Sequence, residues 1–359
     1  MTKWGVFSLS QIPDQAQRVA AFDADLRLFE LAEDLGFDKV WIAEHLFSTY
    51  GVVTSTQVFA AAIAERTRRV RIGTAVVVVP FNHPLRTASD FALIDVLSHG
   101  RLDFGIGRAY QPHEFLGLGV PMAESRAMFV EGTDIILKAW TEEKIAYQGR
   151  YWTIPEPVEV LPKPVQQPHP PVYQATISPE SFEQAARQGW NLQFASPFTY
   201  RTYREHWLDE LERQCARYEG LCAEAGRDPK AAQRMILLPF FVDENGARAR
   251  EIFAPHVEWF YAKVTANQLA GAPAAVPGYE LTMTEGRRTR EMGYLSFDKL
   301  HQFGAAIADD PDTCVDKLRD MKRRFGLTEF TLWFSIGGID PAACERAMRL
   351  AAERVLPYV

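Results

Sequence analysis

The chain has 359 residues, 47% of them hydrophobic, and a formal net charge of -7 at pH 7. That length fits two average domains or one α/β barrel with insertions, and the composition supports a large buried core. The acidic balance argues against nucleic acid or an anionic membrane as the main partner, and no apolar run approaches the length of a membrane span.

Trp4 to Leu9 (W-G-V-F-S-L) reads as a first strand, in an N-terminus without the long apolar region or cleavage site of a signal peptide. Phe22, Leu26, Phe29, Ala32 and Leu35 then recur at helical spacing, and Gly36 ends that helix. Phe37 to Glu44 is a second strand, with the polar pair Glu44-His45 where it ends. Thr54 to Glu65 is an alanine-rich helix; its small side chains suit a subunit contact as well as ordinary packing.

Val70 to Val79 lacks polar alternation, which marks a third strand buried on both faces, and it stops at Pro80. His83-Pro84 opens a helix with Leu85, Ala88, Phe91, Ala92, Ile94 and Leu97 on one face and Gly100 as its stop. Leu102 to Ile106 is a fourth strand, running into Gly105-x-Gly107-Arg108, a glycine-lined, cationic turn that suits an anionic ligand. A helix follows from about Met122 to Trp140. Pro155 to Pro171 is rich in proline, which fixes φ and removes donors, so an extended surface connection is expected.

Val172 to Thr176 is strand five, and Ser178-Pro179-Glu180-Ser181 opens a helix ending at Gly189. Asn191 to Ala195 is strand six, Tyr200 to Ala225 a long charged helix, and Met235 to Val242 strand seven, with a helix from about Ala247 to Val264. Asn267 to Gly293 breaks the rhythm, and a loop of that length is usually functional or disordered. A helix over Pro311 to Phe325, strand eight over Glu329 to Ser335 and a helix from Pro341 to about Leu356 complete the chain. Eight strands alternating with helices predict a single (β/α)8 TIM barrel across 1–359, with insertions at 150–171 and 267–293; a doubly wound sheet is the alternative.

In such a barrel the site lies at the carboxyl ends of the strands. Glu44, His45, Ala75, Val76, Gly107, Arg108, Ser178, Ser181, Ser196 and Ser335 fall there. An arginine after a strand ordinarily forms a salt bridge, and serines at a helix start ordinarily cap it. Together on neighbouring strands, Arg108, Ser178 and Ser181 read as a phosphate cradle. His45 suits general acid or base work, or is merely hydrogen-bonded to Glu44. G-I-G-R-A-Y lacks the third glycine of a dinucleotide fingerprint, and no P-loop or nucleophile elbow occurs. The eight histidines show neither H-x-H nor H-E-x-x-H, so no metal site is expected, and the four cysteines lack C-x-x-C spacing, so a reducing, cytoplasmic setting is expected.

The stretch from Ile72 to Arg108, which contains N-H-P-L-R and G-R-L-D-F-G-I-G-R, resembles the bacterial luciferase-like flavin-dependent monooxygenases, as do G-F-D-K-V-W-I-A-E-H-L-F, S-R-A-M-F and P-P-V-Y-Q-A-T-I-S-P-E-S. The resemblance implies that Arg108 and Arg126 hold a flavin phosphate, with Tyr110 beside them and Ile177, Ser178 and Ser181 completing the site. It implies a non-proline cis peptide at Ala75-Val76 under the flavin ring, and His45, beside Glu44, as the active-site histidine. Three departures stand out: Gly107 where the luciferases carry a cysteine, which leaves more room; Leu46 for a second histidine, a more apolar pocket; and Ser335 for a glutamate, one charge fewer. Asn267 to Gly293, with Arg287, Arg288 and Arg290, resembles the family's mobile lid, which shuts out water.

The expected activity is therefore that of a two-component monooxygenase: FMN, reduced by a separate flavin reductase, and O2 oxygenate a small, largely apolar organic substrate. A homodimer through the helices from Thr54 and Pro84 is implied as well. The alternatives are a deazaflavin-dependent hydride-transfer enzyme of the same fold and a non-catalytic flavin-binding relative. Trp41, Phe47, Phe115, Phe194, Phe198 and Trp259 are candidate pocket aromatics, although most aromatics in a barrel fill its core.

Overall fold

The computed structural model describes residues 1–194, 206–269, 276, 279 and 296–359. Eight parallel strands close on themselves: β1 (Lys3–Ser8), β2 (Lys39–Ile42), β3 (Arg71–Thr74), β4 (Leu102–Gly107), β5 (Val172–Thr176), β6 (Asn191–Phe194), β7 (Arg234–Val242) and β8 (Glu329–Trp333). Each pairs with the next, and β8 pairs back onto β1, from Lys3 opposite Glu329 to Val6 opposite Leu332. That closure is a TIM barrel and excludes the doubly wound alternative. Around it run α1 (Arg18–Asp34), α2 (Thr56–Arg66), α3 (Pro84–Leu97), α4 (Pro112–Leu118), α5 (Ser125–Thr141), α6 (Pro179–Gln188), α7 (Trp207–Glu224), α8 (Gly246–Leu269), α9 (Phe297–Gln302), α10 (Pro311–Phe325) and α11 (Pro341–Arg354). No helix among the described residues is long and apolar enough to cross a membrane.

The apolar run over Val70 to Val79 is not one strand. It splits at the cis Ala75–Val76 peptide, after which Val77–Val78 pairs separately with Ile106 and Gly107. Uniform hydrophobicity carries no register, so periodicity could not locate the break. The join is held by side chains. Thr74 Oγ1 donates to Gly105 O at 2.7 Å and accepts from Gly105 N at 2.9 Å, while Gln193 Nε2 reaches across the barrel to Thr74 O at 2.8 Å. A methyl at Gly105 would stand 1.7 Å from Thr74 O, so only glycine permits this approach.

The proline-rich stretch also differs from its expectation. Its first residues pair in an antiparallel hairpin, Ile145–Gln148 with Thr153–Val158, whose turn is held by Glu131 accepting from the amides of Arg150, Tyr151 and Trp152. Helix α8 runs to Leu269, past the point where the sequence pattern ends it. Ser196, Phe198, Arg287, Arg288, Arg290 and most of 267–293 lie outside the described residues.

At the amino-terminal end of the barrel the core is polar. Lys39 Nζ lies 3.0 Å from Asp103 Oδ2 and 2.8 Å from Glu329 Oε2, and donates to Tyr173 Oη at 2.7 Å. Burial alone would lower the Lys39 pKa; the carboxylates of Glu329 and Asp103 outweigh it and hold it well above the ordinary lysine value. Trp41 Nε1 donates to Glu329 at 2.6 Å, and its ring fills space that a methyl at Gly73 would enter, 2.1 Å from the ring. Trp41 is therefore barrel core, not pocket wall.

Removing one partner of a buried ion cluster strands the others. Lys39→Met is expected to lower unfolding free energy by about 3–5 kcal/mol, read from urea denaturation; a loss below about 1 kcal/mol would show that the carboxylates do not depend on Lys39.

Candidate active site

The carboxyl ends of β2 to β5 and the helices after them enclose one chamber. Glu44, His45, Ala75, Val76, Arg108, Tyr110, Arg126, Ile177, Ser178 and Ser181 all line it. Residues separated by up to 137 positions (44 to 181) are thus brought to one cavity by strand order alone. Ser335 does not join them; its hydroxyl serves the buried carboxyl of Asp25.

Arg108 leaves the end of β4 with its guanidinium carbon 4.1 Å from the centre of the Tyr279 ring, a cation–π contact. The Tyr279 hydroxyl donates to Ala109 O at 2.9 Å and takes a hydrogen bond from Ser125 Oγ at 2.9 Å. Arg126, in the first turn of α5, approaches Glu180 with Nη2 to Oε2 at 3.5 Å. Ser178 is the N-cap of α6 by its backbone but makes no side-chain cap bond. Instead Ser181 Oγ accepts from Ile177 N at 3.1 Å and donates to Ser178 O at 2.6 Å, holding the loop that carries both hydroxyls.

His45 is not paired with its neighbour Glu44. Its Nδ1 lies 2.9 Å from Glu114 Oε1 and 2.9 Å from Tyr50 Oη. A carboxylate only accepts, so Nδ1 presents its proton to Glu114 and Nε2 is the nitrogen left for proton transfer. Glu114 sits in the first turn of α4, almost wholly buried, and also accepts from Leu46 N at 3.0 Å. Leu46 thus contributes its backbone to the site, where its side chain was expected to make the pocket more apolar. Glu44 turns the other way and accepts from Val78 N at 3.2 Å. Burial, with the Glu114 charge adding to it against the Val78 amide and Asn82, pushes the Glu44 carboxyl up to about 7.

Two further expectations are corrected. The space beside Gly107 is taken by Val76, since a methyl there would stand 2.6 Å from Val76 Cγ2; it is not extra room. Of the candidate pocket aromatics among the described residues, only Phe194 lines a cavity at the site. It belongs to a second, apolar one with Phe7, Met235, Leu237, Phe260 and Trp333, and Ala43, His45, Ala75, Val76, Tyr110 and Ala175 line both. Phe47 is exposed, and Phe115 packs with Met122, Val276 and Tyr279 in a separate cluster. Sequence reading missed Tyr50, Glu114 and Tyr279, because partners that meet through tertiary contact leave no signal in spacing.

The family model for luciferase-like monooxygenases matches residues 2–329. The chain belongs to that family. Over 99% of its length it is 25% identical to the alkanal monooxygenase alpha chain of the Kryptophanaron alfredi symbiont, covering 98% of that protein. It superposes on the monooxygenase RslO1 from Streptomyces bottropensis with a TM-score of 0.82 and 30% identity, covering 99% of each chain. The fold alone is shared with the oxygenating constituent of 3,6-diketocamphane monooxygenase from Pseudomonas putida, solved with FMN (TM-score 0.80, 18% identity, 100% and 99% covered). It is shared too with the coenzyme F420-dependent tetrahydromethanopterin reductase of Methanopyrus kandleri (TM-score 0.69, 21% identity, 99% and 99% covered). This luciferase-like protein is an oxidoreductase of the flavin monooxygenase class.

A carboxyl raised from 4.5 to about 7 on folding contributes stability that is fully present below pH 4.5 and lost as pH rises through about 7. Glu44→Gln stays neutral throughout, so its melting temperature is expected to gain on the wild type by several degrees from about pH 5 to about pH 8. A constant offset over that range would show that Glu44 does not titrate there.

Proposed function

We propose that the chamber binds FMN, with the phosphate on Arg108, Arg126, Ser178 and Ser181 and the ring over Ala75-Val76 beside Tyr110 and Ile177. The observation that carries this reading is the gathering of two guanidinium groups and two hydroxyls at one end of a chamber whose floor is apolar. The two guanidinium groups suit a phosphate through charge-assisted, bidentate hydrogen bonds, and the hydroxyls of Ser178 and Ser181, turned from Glu180 and from Ser178 O, would each add one donor. Gln174 Oε1 also fits a ligand rich in N–H groups: it is buried in the chamber wall with no hydrogen-bond partner among the described residues.

When bound, reduced FMN from a separate flavin reductase would supply the two electrons with which one atom of O2 enters the organic substrate while the other leaves as water. The protein's own part is position, dryness and protons. Glu114 and Tyr50 hold the His45 ring through Nδ1, leaving Nε2 to give or take a proton as general acid or base. Glu44, with its carboxyl near 7, is a second proton store in the same wall. The cavity of Phe7, Phe194, Phe260 and Trp333 meets the chamber at His45 and suits a small, largely apolar substrate.

Val276 and Tyr279 support a lid role for 267–293, since they pack on Phe115 and Met122, with Tyr279 on Arg108. The chain is read as one domain, 1–359, with 150–171 as its other insertion. Exposed Val58 on α2 and Leu93, Val96 and Leu97 on or near α3's outer side support a homodimer contact there. The four buried free thiols agree with a reducing, cytoplasmic setting.

Arg108→Ala is expected to weaken FMN binding about tenfold to a hundredfold in a fluorescence titration, the usual weight of a charge-assisted contact; unchanged binding would remove the cradle. His45→Ala is expected to retain FMN yet lose about two to four orders of magnitude in oxygenation rate. Undiminished turnover would take His45 out of the proton path. Oxygen consumption on mixing with reduced FMN separates this reading from a deazaflavin-dependent hydride transferase and from a non-catalytic flavin binder.

A further inference from the structure

Glu180 occupies the second position of α6, between Ser178 and Ser181 in sequence, and stands at the edge of the chamber rather than in its lining. Its carboxylate lies 3.5 Å from the Arg126 guanidinium. The Ser178 hydroxyl, opposed by partial burial and helped by Arg126 and Arg108, holds its carboxyl below the ordinary range. An acid in the first turn of a helix is ordinarily explained by the helix dipole. Here the first turn is also one wall of the ligand chamber, so the same carboxylate takes up the donors that a phosphate would use. The contact does little for the fold: Glu180 and Arg126 side chains are 60% and 40% exposed, and exposed ion pairs contribute little. Both are therefore free of packing that would resist their separation.

We propose that Glu180 is a resident anion in the phosphate cradle, which an incoming phosphate must displace from Arg126 and Ser178. Its effect is to weaken retention of the phosphorylated cofactor and to speed its departure. A cofactor that arrives reduced and leaves oxidised in every turnover is a diffusible substrate, and retention that is too tight would limit the cycle at release. The competition acts on the phosphate only, so a flavin without phosphate does not sense it. This inference rests on the FMN reading of the chamber.

The test titrates FMN and riboflavin against the wild type, Glu180→Gln and Glu180→Ala by flavin fluorescence, with FMN release followed by stopped-flow displacement. Both variants are expected to bind FMN about two- to tenfold more tightly, with a matching fall in release rate, and riboflavin as the wild type does. The gain should shrink in about 0.5 M salt, where exposed charges are screened. FMN affinity that is unchanged or lowered in either variant overturns the proposal, as does an equal change for riboflavin. A wild type that binds FMN no better than riboflavin would instead overturn the cradle itself, an outcome distinct from the first two.

Discussion

The site exists because β3 abandons its ladder one residue before the chamber floor. Thr74 completes its contact with Gly105 through a side-chain hydroxyl, and Gln193 satisfies the Thr74 carbonyl from the far side of the barrel. Neither bond is possible unless β4 carries a residue without Cβ at Gly105. With the backbone polar groups accounted for, the chain can turn through Ala75 and Val76 under the cavity and resume pairing at Val77. The apolar floor, the Val76 side chain beside Gly107, and the positions of Glu44 and Arg108 on either side all follow from that joint.

Charge is distributed over the barrel in two different ways. At the amino-terminal end Lys39, Asp103 and Glu329 are buried, and with Arg71 on Asp103 two cations balance two carboxylates, so their geometry is locked by the cost of separating them. At the carboxyl end Arg126 and Glu180 are partly solvated, and their contact is exchangeable. A barrel of this kind separates stability from function along its axis. Between the two ends His45 is set by a third arrangement: one buried carboxylate, Glu114, fixes its orientation and the backbone of Leu46 together.

Much of this was legible in the sequence. Strand and helix alternation gave the barrel, and of the residues expected at strand ends all but Ser335 and Ser196, the latter outside the described residues, line a common chamber. The errors share one cause. Residue type alone makes Trp41 a candidate pocket aromatic, but glycine at position 73 opens the barrel interior to it. A glycine at 107 in place of a larger residue implies more room, but Val76 takes that space. Adjacency in sequence pairs His45 with Glu44, but both lie beyond the end of β2 and take different partners: Glu44 accepts from Val78 N, and the carboxylate that meets His45 Nδ1 is 69 positions away.

Sequence by itself determined the alternation of the eight barrel strands with their main helices, because burial on both faces of a strand and one face of a helix is written into residue periodicity. It also determined which residues stand at the carboxyl ends, since strand order fixes that rim. Only the tertiary structure decided how those residues are partnered: Glu114 on His45, Tyr279 on Arg108, Glu180 on Arg126. Hydrogen bonds and ion pairs form within a few ångströms in space, between elements whose separation along the chain is set by the barrel's closure and not by any local pattern.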